Sequence, residues 1–559
     1  MLAAWFQQSH NSRLPLRVGV MLDALTVPRY AAQVIEDIAG SSVARIALVV
    51  LGPRHPAVPS DGAPASLLRL YEQFDRPPHP DNDPLEPVDV AGPLGHVETL
   101  RVETAATIAR TNAATLAADV QRHQLDVLLS FTAIEPSGDV LGAATHGVWA
   151  FRFGGATPGA EAPDYFWDVR EGRPLSSARL VRLGHPEERT TTLAECVVDT
   201  EPGLSVAANR PKPYWGSNTF VIQMLQVLHQ RGGDVAGPRG PLAFDAIEGQ
   251  AARRPTNTDV AGWIGPAIVR KAVHRLTHRG RVRHWQLAIR RGARPMPAGT
   301  GPPVTTDFTW IASPLGRFFA DPFLLEHEQR TWVLFEDYDH VERRGRLSAA
   351  PIDGGSLGEV MPMLARPYHM SYPCVFRAGG DLFMVPETGG NGSVELYRCR
   401  KFPSDWVFER ELFHGRAVDS TVWIEDGVFW FFVTVVEPRG HATQLWLFSA
   451  DAIDAPWRLH PATPLSADVR NSRNAGAVFR LDGRLIRPSQ DGSGRYGRRF
   501  GFNEITRLTP DGYAERPLVM VDPPTGFVGT HTYARSGEIE MIDGCVLLEP
   551  DDPRLSKPR

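Results

Sequence analysis

The feature that most constrains this chain is a repeat in its second half. A strand, a tight turn and a second strand recur about every 50 residues. The turns place glycine beside aspartate or another small residue, as in EDG and LDG, which suits hairpins that need a positive φ. Four segments show the pattern clearly and a fifth shows it faintly: 320–339, 371–389, 418–437, 474–492 and 537–550.

Repeats of this length, each forming a small antiparallel sheet, predict a β-propeller. Four clear units and a weaker one predict five blades over residues 281–550. The strand-like stretch at 283–290 is expected to pair with the C-terminal segment and close the ring.

Residues 15–232 follow a different pattern. Buried-strand segments at 16–22, 43–53 and 125–131 alternate with helical segments at 27–40 and 104–124. Strands separated by helices predict a parallel sheet with crossovers, hence an α/β doubly wound domain. The predicted fold is therefore multidomain, with this domain before an all-β propeller, as expected for 559 residues.

Residues 233–280 are predicted to be a linker that ends in a basic helical segment. Glycine and proline dominate its first part, and Pro266 weakens the case for one long helix in its second part. The density of Arg, Lys and His over 258–294 is compatible with a solvated helix face or with a peripheral contact to an anionic membrane surface.

Composition excludes several classes of protein. The net charge of −5 gives no general basic field for nucleic acid, and the four scattered cysteines predict reduced thiols. No signal peptide is recognisable at the N-terminus, and no apolar run reaches the ~18 residues of a membrane span. A cytoplasmic protein, at most peripheral to the inner membrane face, is expected.

Carboxylates stand where the inner strand of each predicted blade begins. Asp321 heads the first blade and Asp419 the third, while Tyr372 heads the second and Asn474 the fourth. In a propeller these strand heads line the central channel, and a buried acid there is costly unless it meets a cation, another polar group or a ligand. The channel is therefore the predicted site.

The first half resembles the formyltransferase domain that uses formyl-tetrahydrofolate, through LDVLLSFTAIEPSGDVLGAATHGVWAFRFG and APDYFWDVREGRP. Gly147 matches the glycine of that family's motif. Ala150 replaces its catalytic asparagine and Arg152 its histidine. Neither residue can polarise a formyl carbonyl and handle a proton, so the resemblance implies the fold without the chemistry.

The second half resembles the five-bladed propeller glycosidases of the arabinanase and xylosidase group, through ADPF and VDSTVW. This resemblance implies that Asp321 is a base and that Asp419 tunes an acid. Ala475 falls where that family has its acidic glutamate, so Glu387 and Glu336 become the candidate acids.

A further set of motifs resembles the propeller domain of the plant glucosamine inositolphosphorylceramide transferases: GRFFADPFL, LFEDYD, SYPCVF, VDSTVW, RNAGAVF and GTHTY. Bacterial relatives of that propeller also occur joined to formyltransferase-like domains. In the plant enzymes a separate glycosyltransferase domain follows the propeller. The resemblance therefore implies glycan or glycolipid biosynthesis without assigning sugar transfer to the propeller.

The predicted site has two parts. Asp321, Asp419, Glu387 and Glu336 are the candidate catalytic residues. Side chains that can hold a sugar or an anionic group complete it, although each of them can equally be structural: Arg317, Tyr372, Arg473, Asn474, Arg487, Gln490 and His531.

The predicted function is glycosyl transfer on a sugar or glycolipid substrate, with the donor left open between a sugar nucleotide and a lipid-linked sugar. A nucleotide leaving group needs cations rather than an acid, which favours a transferase. The alternatives are a glycoside hydrolase with Glu387 as a displaced acid, and a carbohydrate-binding protein without catalysis. No cofactor and no metal are predicted, because no calcium ligands have a recognisable spacing.

Overall fold

The computed structural model describes residues 2–8, 11–52, 66–102, 113–154, 164–184, 189–201, 203–232, 255–278, 280–292, 295–298 and 305–556. The chain divides into two compact units, and the main change from one to the other falls between Val273 and His274.

The first unit is built on a seven-stranded mixed sheet. Its first five strands are parallel and its last two antiparallel. Val18–Leu22 and Val127–Ser130 bury every residue, which requires cover on both faces of the sheet. In spatial order the strands are Thr99–Arg101, Ala44–Leu51, Leu16–Leu22, Val127–Ser130, Val148–Phe153, Leu175–Arg182 and Thr191–Asp199.

Helices supply that cover. Leu116 and Val120 of one helix pack with Met21 and Leu128 of the sheet. The predicted strands at 16–22, 43–53 and 125–131 and the helix at 27–40 are confirmed; of the helix predicted at 104–124, residues 104–112 lie outside the described residues. The α-helices are Arg29–Ala39, Ser66–Phe74, Ala91–Leu94, Ala113–Gln121, Phe166–Glu171, Val206–Asn209, Pro211–Ser217, Phe220–Arg231 and Asn257–His278, and a small sheet pairs Thr26–Pro28 with Pro87–Asp89.

The residues carried over from the formyltransferase motif stand at the strand Val148–Phe153. Gly147, with φ of 74°, precedes the strand. Ala150 is buried within it, and the guanidinium of Arg152 pairs with Glu135 at 2.5 Å. The α/β sheet is thus observed, while the formyltransferase likeness and the domain limits 15–232, 233–280 and 281–550 stay predictions.

The last helix, Asn257–His278, runs through Pro266. The helix is continuous, although Pro266 weakened the case for one long helix in the sequence. Proline removes one backbone donor and strains one turn, a cost that the packing of Val260 and Trp263 offsets on the buried side of the helix. None of the described helices is both long and apolar enough to cross a membrane.

The second unit is a five-bladed propeller, as predicted. The first strands of neighbouring blades contact one another and form the inner ring. From the inner strand outward, the first four blades are Arg317–His327, Arg330–Asp339, Arg344–Asp353 with Ser356–Leu357 and Met361–Leu364; Ser371–Ala378, Asp381–Glu387, Ser393–Lys401 and Asp405–His414; Ala417–Glu425, Val428–Val436, Thr443–Ala450 and Arg458–Leu459; and Arg473–Asn474 with Phe479–Leu481, Arg484–Asp491, Arg499–Thr509 and Gly512–Val521.

The fifth blade joins the two ends of the propeller. Val282–Arg291 pairs antiparallel with Ile539–Leu548 over its whole length, between the inner strand Tyr533–Ser536 and the outer strand Thr309–Trp310. The predicted closure of the ring by residues 283–290 is therefore confirmed. Strand pairing of this kind removes the exposed edges that an open array would leave.

Tyr372 braces the centre of the propeller. Its hydroxyl accepts a hydrogen bond from the N–H of Gly476 at 2.7 Å and lies 3.0 Å from the carbonyl of Gly476 and 2.9 Å from Thr421 Oγ1. One phenol thus ties the second, third and fourth blades. Gly476 has φ of 135°, and a Cβ there would lie 2.1 Å from the carbonyl oxygen of Tyr533, so only glycine fits.

Replacing Tyr372 with phenylalanine is expected to lower the free energy of unfolding by about 1–3 kcal/mol, because the buried Gly476 N–H loses its partner. Urea unfolding followed by tryptophan fluorescence measures this change.

Tyr338→Phe is the matched control, since no hydrogen bond of its hydroxyl is found among the described residues. An equal loss of stability in both variants would contradict the bracing role of Tyr372.

Candidate functional site

The inner strands of three blades share one irregularity. Each has a bulge beginning at its site residue, where the pairing register shifts: between Ala320 and Phe323, Ser371 and Cys374, and Val418 and Thr421. Asp321, Tyr372 and Asp419 each lie in the left-handed region at that point, with φ of 52°, 48° and 44°. Non-glycine residues in this region cost about 1–3 kcal/mol each, so the surrounding structure holds these side chains in their orientation.

Four carboxyl groups meet inside the ring formed by these strands. We call Asp321, Glu336, Glu387 and Asp419 the carboxylate cluster. The charges of Asp321, Glu387 and Asp419 all raise the pKa of Glu336, and the charge of Asp419 also raises the pKa values of Asp321 and Glu387. Asp321, Glu336 and Asp419 are almost fully buried, and the side chain of Glu387 is 16% exposed. The structure therefore brings all four predicted catalytic residues together.

Arg473 and two amides hold Asp419. Arg473 Nε donates to Asp419 Oδ2, and Gln490 Nε2 donates to the same oxygen at 2.8 Å. Asn474 Nδ2 donates to the Asp419 carbonyl at 2.8 Å. The guanidinium of Arg473 also lies 3.8 Å from Glu387, so one cation serves two acids of the cluster.

The fifth blade holds Asp321 through His531. His531 Nδ1 lies 2.6 Å from Asp543, and its Nε2 lies 3.5 Å from Asp321 Oδ1. Thr532 Oγ1 donates to the same Asp321 oxygen at 2.8 Å. The His531 ring stacks on Trp285 with centroids 4.0 Å apart, which fixes its plane.

Glu336 has a histidine neighbour of its own. His369 Nε2 lies 3.5 Å from Glu336 Oε1, and His369 Nδ1 accepts the N–H of Gly345 at 2.9 Å. That hydrogen bond leaves the proton of a neutral imidazole on Nε2, facing Glu336.

One carboxylate outside the cluster anchors the loops that carry Glu387 and His369. Glu395 accepts hydrogen bonds from Tyr368 at 2.9 Å and from Asn391 at 2.7 Å. Tyr368 precedes His369, and Asn391 lies in the short turn after Glu387. Glu395 therefore fixes the approach of both residues to the cluster.

The members of the cluster differ in protonation. Burial, together with the charges of Asp419 and Asp543, raises the pKa of Asp321 to about 6 against the opposing effect of His531. Burial and the Asp419 charge raise the pKa of Glu387 to about 8, and burial with the surrounding acids raises the pKa of Glu336 well above its usual range. Burial lowers the pKa of His531, but Asp543 and Asp321 outweigh it and raise that pKa overall.

The pKa of Glu387, about 8, lies above that of Asp321, about 6, so Glu387 keeps its proton to a higher pH than Asp321 does. One carboxyl group can then accept a proton while another donates one, which is the requirement for breaking or forming a glycosidic bond. The open side of the cluster is at Glu387 and Arg473, whose side chains are 16% and 22% exposed.

Three predicted ligand-binding residues do not join the cluster. Arg487 is fully buried and forms a two-point ion pair with Glu515 at 2.6 and 2.8 Å, so it cannot grip a substrate anion. Arg317 pairs with Asp337, a neighbour of Glu336 on the strand. Tyr372 braces three blades. These partners hold the buried Arg487 and Tyr372 within the blades, whereas the side chain of Arg317 keeps 26% exposure beside its partner.

Three residues beside the cluster were not predicted. His369 and Asp543 contact it directly, and Tyr496 lies under the Arg473 guanidinium at 4.8 Å. Tyr496 stands between glycines in GRYG, a signal of an exposed aromatic at a loop tip. His369 and Asp543 had no comparable local signal, because their partners come from other blades or from distant strands.

Asp321, His531 and Asp543 have ligand atoms within 4.8 Å of one another, close enough for a metal ion. These side chains, however, already pair with one another and with neighbouring backbone N–H groups. His531 binds Asp543 at 2.6 Å, and the N–H groups of His531 and Thr532 donate to the other Asp543 oxygen at 2.8 and 3.1 Å. The ring of His531 thus already pairs with the carboxylate oxygens that a metal ion would need.

The propeller matches one protein family in part. Residues 295–526 match the family model for Glucosamine inositolphosphorylceramide transferase 1, N-terminal. Proteins of that name from Oryza sativa subsp. japonica and Arabidopsis thaliana are 31% and 30% identical over 208 and 225 residues, or 36% and 39% of this chain. The chain spans 28% and 29% of the length of these relatives, so the predicted resemblance is confirmed for the propeller.

Two solved propellers illustrate the fold. A family 117 glycoside hydrolase from Zobellia galactanivorans is 12% identical, with a TM-score of 0.32, over 47% of this chain and 90% of that chain. A GH43_1 enzyme from Xanthomonas citri is 12% identical, with a TM-score of 0.32, over 44% and 97%. Likeness at this level carries no argument about chemistry.

Glu387→Gln is expected to change how stability depends on pH. Because the folded pKa of about 8 exceeds the ordinary value of 4.5, the folded chain binds more protons than the unfolded chain between these values. Stability contributed by this group is therefore present below the unfolded pKa and is lost as pH rises, by on the order of a few kcal/mol. The variant removes that loss, which thermal unfolding at a series of pH values measures.

Glu359→Gln alters an exposed glutamate outside the cluster and serves as the control for that experiment. A pH dependence that is the same in the wild type and in Glu387→Gln would show that Glu387 holds no proton in the folded state.

Proposed function

We propose that the propeller catalyses glycosyl transfer, with its reaction at the carboxylate cluster. The observation that carries the proposal is the convergence of buried Asp321, Glu387 and Asp419 with Arg473 inside one ring of strands, where the pKa of Glu387 is raised above that of Asp321. A purely structural cluster has no need of two acids with separated pKa values, whereas acid–base chemistry on a sugar does.

In this reaction the bond between the sugar's anomeric carbon and its leaving oxygen breaks, and a bond to an acceptor hydroxyl forms. Asp321 takes the proton of the acceptor hydroxyl. Glu387 gives its proton to the leaving oxygen, or Arg473 stabilises that oxygen when it belongs to a diphosphate. Asp419, held by Arg473 and Gln490, keeps the cation in place beside Glu387.

The name of the matched relatives supplies a substrate class for this proposal. It points to glucosamine as the transferred sugar and to inositolphosphorylceramide as a glycolipid acceptor. A sugar nucleotide is the donor we propose, because Arg473 on the open side of the cluster is suited to a phosphate leaving group.

Hydrolysis is the second candidate, and the position of Glu387 favours it. A protonated acid next to an ionised base also suits the attack of water on a glycoside. The two reactions differ in the acceptor alone, so incubation with sugar nucleotides and with aryl glycosides, each with and without an added alcohol acceptor, distinguishes them. If the protein binds both substrates and turns over neither, it is a carbohydrate-binding protein without catalytic activity.

Asp321→Asn is expected to lower turnover by about 10²–10⁴-fold, because asparagine cannot accept the acceptor's proton. Substrate binding should change little, since the amide keeps the shape of the side chain and its contact with Thr532. Product formation and isothermal titration calorimetry measure the two effects.

Asp491→Asn is the matched control, because Asp491 is equally buried but pairs with Arg499 outside the cluster. If Asp321→Asn retains full turnover, Asp321 is not the base.

The reaction rate is expected to show a bell-shaped dependence on pH. Asp321 must be ionised, which requires a pH above about 6, and Glu387 must be protonated, which requires a pH below about 8. The acidic limb should persist in Glu387→Gln while its alkaline limb disappears. Initial rates across this range provide the measurement, and a profile without an alkaline limb in the wild type would exclude Glu387 as the acid.

A further inference from the structure

Two helices of the first unit lie side by side. Leu67 N donates to Asn257 Oδ1 at 3.0 Å, and the rings of Tyr71 and Trp263 lie 5.3 Å apart. Residues 67 and 71 thus match residues 257 and 263 in order, so Ser66–Phe74 and the first part of Asn257–His278 run in the same direction. Phe74, at the end of the first helix, therefore lies beside the turn of the second helix that contains Ile268.

These helices expose an unusual amount of apolar surface. Among the described residues ten large hydrophobic side chains are exposed, and five of them stand here. We call Leu67, Leu70, Phe74, Ile268 and Val269 the apolar patch. Phe74 is 77% exposed and Val269 is 61% exposed. Scattered single hydrophobics are normal on a protein surface, whereas a group on adjacent helices marks a binding surface.

The patch is distinct from the side of the helix that packs on the protein. Val260, Trp263 and Ala267 are buried, while Ala261, Gly262 and Gly265 are exposed along with Ile268 and Val269. From Ala261 to Val269 the exposed residues are therefore all apolar, where a solvated helix face would carry charged residues.

The charge of the following sequence is one-sided. Residues 260–306 contain nine Lys and Arg and no Asp or Glu, in a chain whose net charge is −5. Arg270, Lys271 and Arg275 come directly after the apolar residues within the same helix.

Part of the basic region at 258–294 belongs to the propeller, where its cations already have partners. Arg281 pairs with Glu549 at 2.6 Å, and Arg290 pairs with Glu540 at 2.6 Å within the fifth blade. Residues 282–291 of the predicted 258–294 region are thus a propeller strand. Arg270, Lys271 and Arg275 belong to the helix Asn257–His278 and follow the apolar residues of the patch in the sequence.

We propose that the apolar patch and the basic part of the helix Asn257–His278 dock the chain on an anionic membrane surface. A helix with an apolar stripe and adjacent cations lies in the interface of a bilayer, with its hydrophobic residues among the acyl chains and its cations at lipid phosphates. The absence of acids over 260–306 matches a negative surface and would serve no purpose on a neutral one. This docking does not depend on the reaction proposed for the propeller.

Flotation of the purified full chain with vesicles tests the proposal without any measurement of activity. Vesicles of phosphatidylcholine alone are compared with vesicles that also contain phosphatidylserine. The wild type is expected to float with the anionic vesicles and to be released by salt. Failure to bind the anionic vesicles overturns the proposal.

Two variants separate the apolar and the charged contributions. Ile268→Ser with Val269→Ser should weaken binding about tenfold, through the loss of buried apolar area. Arg270→Gln with Lys271→Gln should weaken binding to anionic vesicles by about tenfold or more and leave binding to neutral vesicles unchanged.

Val341→Ser is the matched control, because Val341 is 60% exposed on the propeller and should not affect flotation. Circular dichroism confirms that each variant is folded. Unchanged flotation of the Ile268→Ser, Val269→Ser variant would overturn the proposal. A change in its oligomeric state, with no binding of the wild type to lipid, would assign the patch to a contact between copies of the chain instead.

Discussion

Several carboxyl groups that share a dry space cannot all be ionised, and this constraint organises the centre of the propeller. Asp321, Glu336, Glu387 and Asp419 meet there with Arg473 and His531 as the neighbouring cations. Burial and the charges of the neighbouring acids raise the pKa values of Asp321, Glu336 and Glu387. The acid–base chemistry proposed for the cluster rests on this shift toward the protonated form.

The same constraint explains the irregular inner strands. A regular strand alternates its side chains between two faces and would direct Asp321 and Asp419 into the packing between blades. The bulge turns each residue out of that alternation, at the cost of a left-handed backbone. At the matching position of the second blade, Tyr372 uses the same turn to reach Gly476. The same bulge with a left-handed residue thus orients both the acids of the site and the tyrosine that holds the blades together.

The sequence predicted the repeat, the number of blades and the four acids, because hairpin turns and strand heads are local features. It did not predict which polar residues already have partners. Arg487 looked free for a ligand, yet its partner Glu515 lies 28 residues away on another strand. Asp543, which holds His531, comes 222 residues after Asp321. Such pairs depend on how the strands of a blade are arranged and, for Asp321 and Asp543, on contact between two blades. Pro266 shows that packing also overrides a local helix-breaking preference.

The closing blade has a consequence for biosynthesis. Val282–Arg291 pairs at two positions with Thr309–Trp310 but along its whole length with Ile539–Leu548, so a nascent chain on the ribosome lacks the main partner of this strand until almost the entire propeller has been translated. Four blades can assemble in order as they emerge, but the ring stays open at one seam. Synthesis of the last strand completes the molecule, and a chaperone that shields the early strand would protect it during that interval.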